Sequence, residues 1–421
     1  MPASAKGPEK GIIMKFEHRA VPIVLIAVLI DVIGFGIVMP VLPALVTELG
    51  HVELDAATRI AGWMLAAFAI AGFFAGPVLG NLGDRYGRRP VLILSMVAFA
   101  IDYALMAAAP SLAWLFVGRV IAGIAGATFG PASAVIADVT PPEKRSAVFG
   151  LVGAAFGVGF ILGPALGGIS SVLGLRAPFL IAAICAALNA VVMFFFLPET
   201  LAKENRRPFR WSDAHIIGAF RPLFHAGNAG PLLLAWFFWQ LAGTVYPSTW
   251  SFWAAIRFGW DATAIGWSLA YVGFLTVLVQ ALLTGRVIKR FGERGAALIA
   301  LCAASFTLFS YAFIQQGWQV YAFFLVGAFG AFAYPALNGT LSGMVGASHQ
   351  GALQGGISSM NNVAAILGPL IATQALAAGS HRGFDGAAFL VAGTLMACAA
   401  LIIALFVHMR PAPAGEPQPS E

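Results

Sequence analysis

Two segments of this 421-residue chain repeat at a fixed offset, and the repetition limits its possible folds more than any other feature. Gly80-Asn-Leu-Gly-Asp84-Arg85-Tyr86-Gly87-Arg88-Arg89 leads into one apolar run, and Gly285-Arg-Val-Ile-Lys289-Arg290-Phe291-Gly292-Glu293-Arg294 leads into another 205 residues later. The same shift carries Gly163-Pro164 onto Gly368-Pro369 and almost carries Pro131 onto Pro335. A chain built twice from parallel halves, each with a basic loop between apolar stretches, has the layout of a membrane protein whose halves enclose a central site.

Composition identifies the solvent. Hydrophobic residues make up 60% of the chain, charged residues only 10%, and 48 positions are glycine; that balance is too apolar for a soluble globule. About 20 apolar residues cross a bilayer as a helix. Twelve such runs are centred near residues 30, 70, 99, 125, 158, 187, 238, 274, 304, 330, 363 and 397. The predicted fold is all-α integral membrane, with twelve transmembrane helices in two pseudo-symmetric six-helix halves. Residues 1–18 form an N-terminal extension, 19–197 the first half, 198–226 a linker, 227–408 the second half and 409–421 a tail.

The formal net charge of +6 reads as membrane topology rather than as a nucleic-acid surface. With the N-terminus in the cytoplasm, nineteen of the 24 Lys and Arg fall on that side, only Arg59, Arg176, Arg257 and Arg382 face outward, and Arg119 lies within a span. Extension, linker and tail are then all cytoplasmic. The linker carries Lys203, Arg206, Arg207, Arg210 and Trp211 and is expected to lie as an amphipathic segment on the membrane surface. Cys185, Cys302 and Cys398 each fall inside an apolar run and are expected to pack there rather than form disulfides. The first run is long, carries Asp31 and lacks a small-residue cleavage site, so no cleavable signal peptide is expected, and Met14 is an alternative start to Met1.

The buried charges need an explanation. An ionised side chain in the middle of a membrane helix costs about 2.5 to 3.5 kcal/mol on insertion scales, so it persists when paired, hydrated or protonated. Asp31 lies in the first span, Asp102 in the third and Arg119 in the fourth. Protonating either acid changes its pairing with Arg119, which is the chemistry a proton-coupled carrier needs. A static ion pair is the alternative. In the basic loop, Gly80 and Gly87 are expected to permit a tight turn, Asp84 to accept bonds from a helix N-terminus or an arginine, and Arg85, Arg88 and Arg89 to anchor the cytoplasmic face. In the fifth span, Gly159, Gly163, Gly167 and Gly168 strip one helix face to backbone, and Pro164 allows a bend there.

At these residues the chain resembles the Major Facilitator Superfamily. Gly80 to Arg89 matches its signature loop between spans two and three, and Gly159, Gly163-Pro164 and Gly167-Gly168 match the motif associated with its antiporters. The resemblance is closer still to the twelve-span bacterial tetracycline/proton antiporters. It is carried by Asp31-Val-Ile-Gly-Phe-Gly-Ile-Val-Met-Pro40-Val-Leu-Pro43, Ile101-Asp102-Tyr103, Gly118-Arg119, Gly123-Ile-Ala-Gly-Ala-Thr128, Leu197-Pro-Glu-Thr200 and Ser348-His-Gln350-Gly-Ala-Leu-Gln354-Gly. These stretches extend over nearly the whole chain. The resemblance implies a bacterial inner-membrane protein, functional as a monomer, that exports an amphiphilic drug against inward proton flow. The drug would be tetracycline as a divalent metal chelate, and no cofactor is implied. Asp31 and Asp102 would be the proton-coupling carboxylates, Arg119 their basic neighbour, and Asp84 with Arg88 the gating loop.

One departure is specific. Those exporters carry a further Asp in span nine, where this chain has Ala304. The second half then offers neutral amides, Gln240, Gln280, Asn338, Asn361 and Asn362, with Trp236, Trp239, Tyr246, Trp250 and Trp253 near them. Amides and aromatic faces suit a bulky amphiphile, so the five amides are the candidate substrate cavity. Most of the aromatics are expected at the lipid or its interface. Two other functions share the layout. A proton symporter or exporter of a small metabolite would be favoured by a dense set of polar ligands or by paired arginines across both halves, and neither is seen; a non-transporting receptor is the second alternative. Neither a metal-ligand cluster nor a nucleophile constellation is present, and the Gly-rich stretches lack the strand and helix alternation of a dinucleotide site.

Overall fold

The computed structural model describes residues 18–126, 129–208, 230–344 and 350–406. The extension up to residue 17, linker residues 209–226, the tail, Thr128 and the Ser348-His349 pair lie outside the described residues. Among those described, sixteen α-helices occur. The first half contains α1 (Ala20–Val38), α2 (Leu42–Gly50), α3 (Leu54–Tyr86), α4 (Arg88–Ala108), α5 (Leu112–Gly126), α6 (Phe129–Val139), α7 (Pro142–Ser170) and α8 (Ala177–Phe196). The second contains α9 (Gly230–Gly243), α10 (Val245–Phe258), α11 (Ala262–Leu282), α12 (Thr284–Tyr311), α13 (Gly317–Gly327), α14 (Ala333–Gly343), α15 (Gln350–Ser380) and α16 (Ala387–Phe406).

Eleven stretches are long and apolar enough to cross a membrane, one fewer than the sequence predicts. The twelfth crossing is present but broken, because α9 and α10 meet at Thr244. The break has a local cause. Proline lacks the N–H that would bond the carbonyl four residues earlier, and Pro247 stands four residues after Gly243. The same relation recurs near three other helix boundaries. Pro43 stands four residues after Met39, where α1 gives way to α2, and Pro335 four after Ala331, inside the 3-10 turn Ala328–Phe332 that joins α13 to α14. Pro131 stands four residues after Ala127, which lies outside the described residues between α5 and α6. Discontinuous helices typically line the central site of transporter folds.

The halves touch through α7 against α11 and α3 against α15. Their approach is graded along the axis. At the end far from the termini, a Cβ built on Gly168 would lie 2.8 Å from the Ala262 carbonyl oxygen, Thr263 Oγ1 donates to the Gly168 carbonyl at 3.2 Å, and Gly62 has the Thr373 side chain directly over it. At the end that carries the termini, a Cβ on Gly150 or Gly153 of α7 or on Gly80 of α3 would meet no neighbouring element within 4 Å among the described residues. The close contact between the halves that these glycines report is at the far end.

The glycines of α7 serve two faces, not the single face expected. Gly159, Gly163 and Gly167 meet α1 within the same half, where a Cβ on Gly163 would lie 2.7 Å from the Ile33 carbonyl oxygen. Gly168 and Gly157 meet α11 of the other half, the latter 3.2 Å from Val277. Gly80 also differs from expectation: it lies inside α3, and only Gly87, with φ 105°, makes the turn. Cys302 is exposed, so it is not a packing residue, whereas Cys185 and Cys398 are half-buried. Trp236, Trp250 and Trp253 are fully buried rather than lipid-facing. Trp250 Nε1 donates to Ser268 Oγ at 3.0 Å, and Trp253 meets Phe389 edge-on at 4.7 Å; these rings form the second half's core because aromatic edges and faces attract.

Candidate functional site

Asp102 and Arg119 come together inside the first half. Asp102, on α4, is fully buried. Arg119 Nη2, from α5, donates to its Oδ2 at 2.9 Å and approaches Met106 Sδ at 2.6 Å. Gly118 leaves the room for this, since a Cβ there would stand 2.6 Å from Asp102 Oδ1. The pair is incompletely satisfied: Asp102 Oδ1 and Arg119 Nε are buried with no hydrogen-bond partner among the described residues. Half-made bonds in a low dielectric are costly, so the geometry holds only while both charges persist. Tyr103 lies within electrostatic reach of Asp31, Asp102 and Arg119 and stacks on Phe99 at 6.0 Å. Gly34 on α1 admits its ring. Tyr103 was visible in the sequence only as a neighbour of Asp102, and nothing in the spacing marks it as central.

Asp31 is placed differently. It is half-buried on the wall of a recess of about 320 Å³, a volume large enough for a drug-sized group. The wall is otherwise apolar, with Val24, Val28 and Phe35 in the same stripe of α1, Phe68 from α3 and Met96 from α4. Arg119 lines a second and much smaller space of about 30 Å³ toward the far end, together with Ser248 and Ser251 of α10 in the other half.

The loop residues form a second cluster at the terminal end. Arg88 Nη1 lies 2.5 Å from Asp84 Oδ1, and Arg88 Nε 3.6 Å from Asp138 Oδ2 at the end of α6. Arg89 donates to the Phe194 carbonyl at 2.5 Å, while Arg85 is exposed over Tyr86. The sequence reading missed Glu199. Its carboxylate accepts from the backbone N–H of Arg88 at 2.8 Å and of Arg89 at 3.3 Å, capping α4, and from Thr200 and Leu201. An anion at a helix N-terminus is favoured by the helix dipole, and Gly87 admits this one because a Cβ there would strike the carboxylate. The second half keeps part of the design. Arg294 donates to the Ala404 carbonyl as Arg89 does to Phe194, but Glu293 replaces Arg88 and accepts from Thr340 at 3.2 Å.

Residues 24–369 and 232–421 match the sequence profile of the Major Facilitator Superfamily. The chain belongs to that family. It is similar to the class C tetracycline resistance protein of Escherichia coli, 40% identical over 90% of this chain and 95% of that protein. It is also similar to the class E tetracycline resistance protein of Escherichia coli, 38% identical over 93% of this chain and 96% of that one. In fold it resembles the nucleoside transporter NupG, with a TM-score of 0.74 and 16% identity, covering 93% of this chain and 100% of that structure.

In this Major Facilitator protein the candidate amides of the second half are mostly grouped on three helices. Helices α14 and α15 each pack on α9, and the three hold four of the five amides. Asn361 accepts from Trp236 Nε1 at 2.9 Å, and Asn338 accepts from Gln354 Nε2 at 3.0 Å. Asn362 is exposed and sits eleven residues, or about three turns, before Thr373, the side chain that meets Gly62 of the first half, so it faces that half. Gln240 is half-buried on α9. Gln280 stands apart on α11, on the face that Gly273 turns toward Ile161 of α7. Tyr334 is 53% exposed beside Trp236 and Trp239, at ring distances of 5.6 and 6.4 Å. Ala304 packs against the irregular turn at Gly330, with 3.6 Å to a Cβ built there.

Proposed function

We propose that this chain is a proton-coupled antiporter that exports an amphiphilic, tetracycline-like drug by alternating access. The observation that carries the reading is the pairing of environments in the first half: a drug-sized apolar recess with Asp31 in its wall, beside the buried Asp102–Arg119 pair. A carboxylate at the edge of an apolar recess attracts a cationic or metal-chelated amphiphile and binds a proton when the drug leaves, so the two compete through one charge. The 40% identity to a tetracycline resistance protein supports the substrate class.

The substrate cleft has two unlike walls in this reading. Asp31 and apolar side chains form one; Asn338, Asn361 and Asn362 with Tyr334 and Trp239 form the other, suited to carbonyl and hydroxyl groups on a flat molecule. The substrate carries its divalent metal with it, and the protein supplies no resident cofactor. The asymmetry of Lys and Arg supports cytoplasmic termini, and the likeness to bacterial resistance proteins supports a bacterial inner membrane. One chain holds both walls and the coupling residues, which supports function as a monomer.

The test is resistance to a panel of drugs, tetracycline included, in a pump-deleted bacterium. Wild type is expected to raise the inhibitory concentration of tetracycline several-fold and Asp31→Asn to abolish the gain at equal membrane abundance. Equal resistance from Asp31→Asn overturns the role of this acid, and no resistance to any drug overturns export.

A further inference from the structure

One residue lines both internal spaces of the first half. Phe35 forms part of the recess of about 320 Å³ that contains Asp31 and part of the space of about 30 Å³ that contains Arg119. The recess otherwise draws on residues of the terminal half of the bundle, such as Leu92, Ala132 and Met193, whereas the smaller space draws on the far half, with Met39, Leu42 and Pro247. Phe35 therefore stands where the terminal side of the protein meets the far side. It lies one turn after Asp31, and a helical side chain leans back over the turn before its own Cα, so the ring covers the acid from the far side. Phe68 of α3 backs it, with ring centroids 6.3 Å apart.

We propose that Phe35 is the plug that keeps protons from running through the protein without drug. The far space is wide enough for two or three waters, by the criterion of about 10 to 15 Å³ per water. Its polar lining, Arg119 and the hydroxyls of Ser248 and Ser251, gives such water partners. On the other side of the ring, Asp31 meets the larger recess. Phe35 borders both spaces, and an aromatic ring carries no group able to pass a proton. Because Ser248 and Ser251 belong to the second half, the far space changes when the halves rock, so the plug sits between the side that loads and the side that unloads. The inference rests on the proton-coupled reading above and goes beyond it: it assigns the separation of the two proton accesses to one apolar side chain.

The experiment uses purified full-length protein in proteoliposomes with a pH-sensitive dye inside and an imposed proton gradient, without any drug. Phe35→Ala is expected to dissipate the gradient at least tenfold faster than wild type, and Phe35→Leu, which refills the position, to restore most of the tightness. Adding Asp31→Asn to Phe35→Ala should abolish the leak, because the protons pass through that carboxyl. A Phe35→Ala protein as tight as wild type overturns the proposal, as does a leak that survives Asp31→Asn, which would mean that protons bypass the acid through a generally loosened bundle. Drug-dependent proton flux in wild type is a separate arm: if it is absent, the antiporter reading fails, while the drug-free leak still judges the plug.

Discussion

Asp102 and Arg119 stabilise the first half only as a pair. Removing one partner of a buried ion pair costs about 3 to 5 kcal/mol, because an uncompensated charge is left in low dielectric, whereas replacing both is often neutral. Asp102→Asn and Arg119→Gln are each expected to lower the melting temperature of the purified protein. The double variant should recover most of the loss while remaining inactive in proton-coupled export. Additive losses would show that the two side chains act independently. Ala304 makes a second prediction at this scale. An acid at this position adds a negative charge near the irregular turn at Gly330, where low dielectric makes it effective toward a cationic chelate. Ala304→Asp is expected to raise the tetracycline inhibitory concentration relative to that of neutral drugs, and an unchanged ratio in the resistance assay contradicts it.

At the scale of elements, prolines and glycines set the architecture. Glu199 caps α4 with one carboxylate over two backbone N–H groups, and losing such a cap costs about 1 to 2 kcal/mol. Glu199→Ala should lower thermal stability by that order, measured by thermal melting in detergent, with drug affinity unchanged. Gly168 allows α7 to touch α11 at the far end. Gly168→Leu should drive these helix ends apart, read as a longer distance between spin labels at residues 172 and 261; an unchanged distance means that another contact closes the far end.

The sequence made much of this legible, for a physical reason. Hydropathy reports spans directly because lipid tolerates no unsatisfied backbone, and the 205-residue repeat reports the two halves. The Asp102–Arg119 pair was legible because buried charges are rare enough to seek each other. Other features were hidden. Whether Gly80 bends a turn or sits in a helix depends on whether its neighbours provide hydrogen bonds, and the role of Glu199 depends on a contact across 111 residues. The broken crossing at Thr244 reads as one apolar run, although Pro247 held the clue. Buried and lipid-facing tryptophans look the same in hydropathy, so Trp250 and Trp253 were misplaced.

At the scale of the molecule, the account is a rocking of two rigid halves about a cleft with one acidic wall and one neutral wall. Close contact at Gly62 and Gly168 fixes the far end in this conformer. In the proposed cycle drug enters from the side of the termini and displaces a proton from the first half, and the reverse conformer releases the drug and takes up a proton. The most direct measurement is drug-dependent proton flux in proteoliposomes holding wild type or Asp31→Asn at equal orientation. The account predicts that tetracycline added on the side of the termini releases protons to that side from wild type, at a rate that saturates with drug, and that Asp31→Asn moves none. Drug transport by wild type with no accompanying proton movement, or undiminished proton movement in Asp31→Asn, would contradict it.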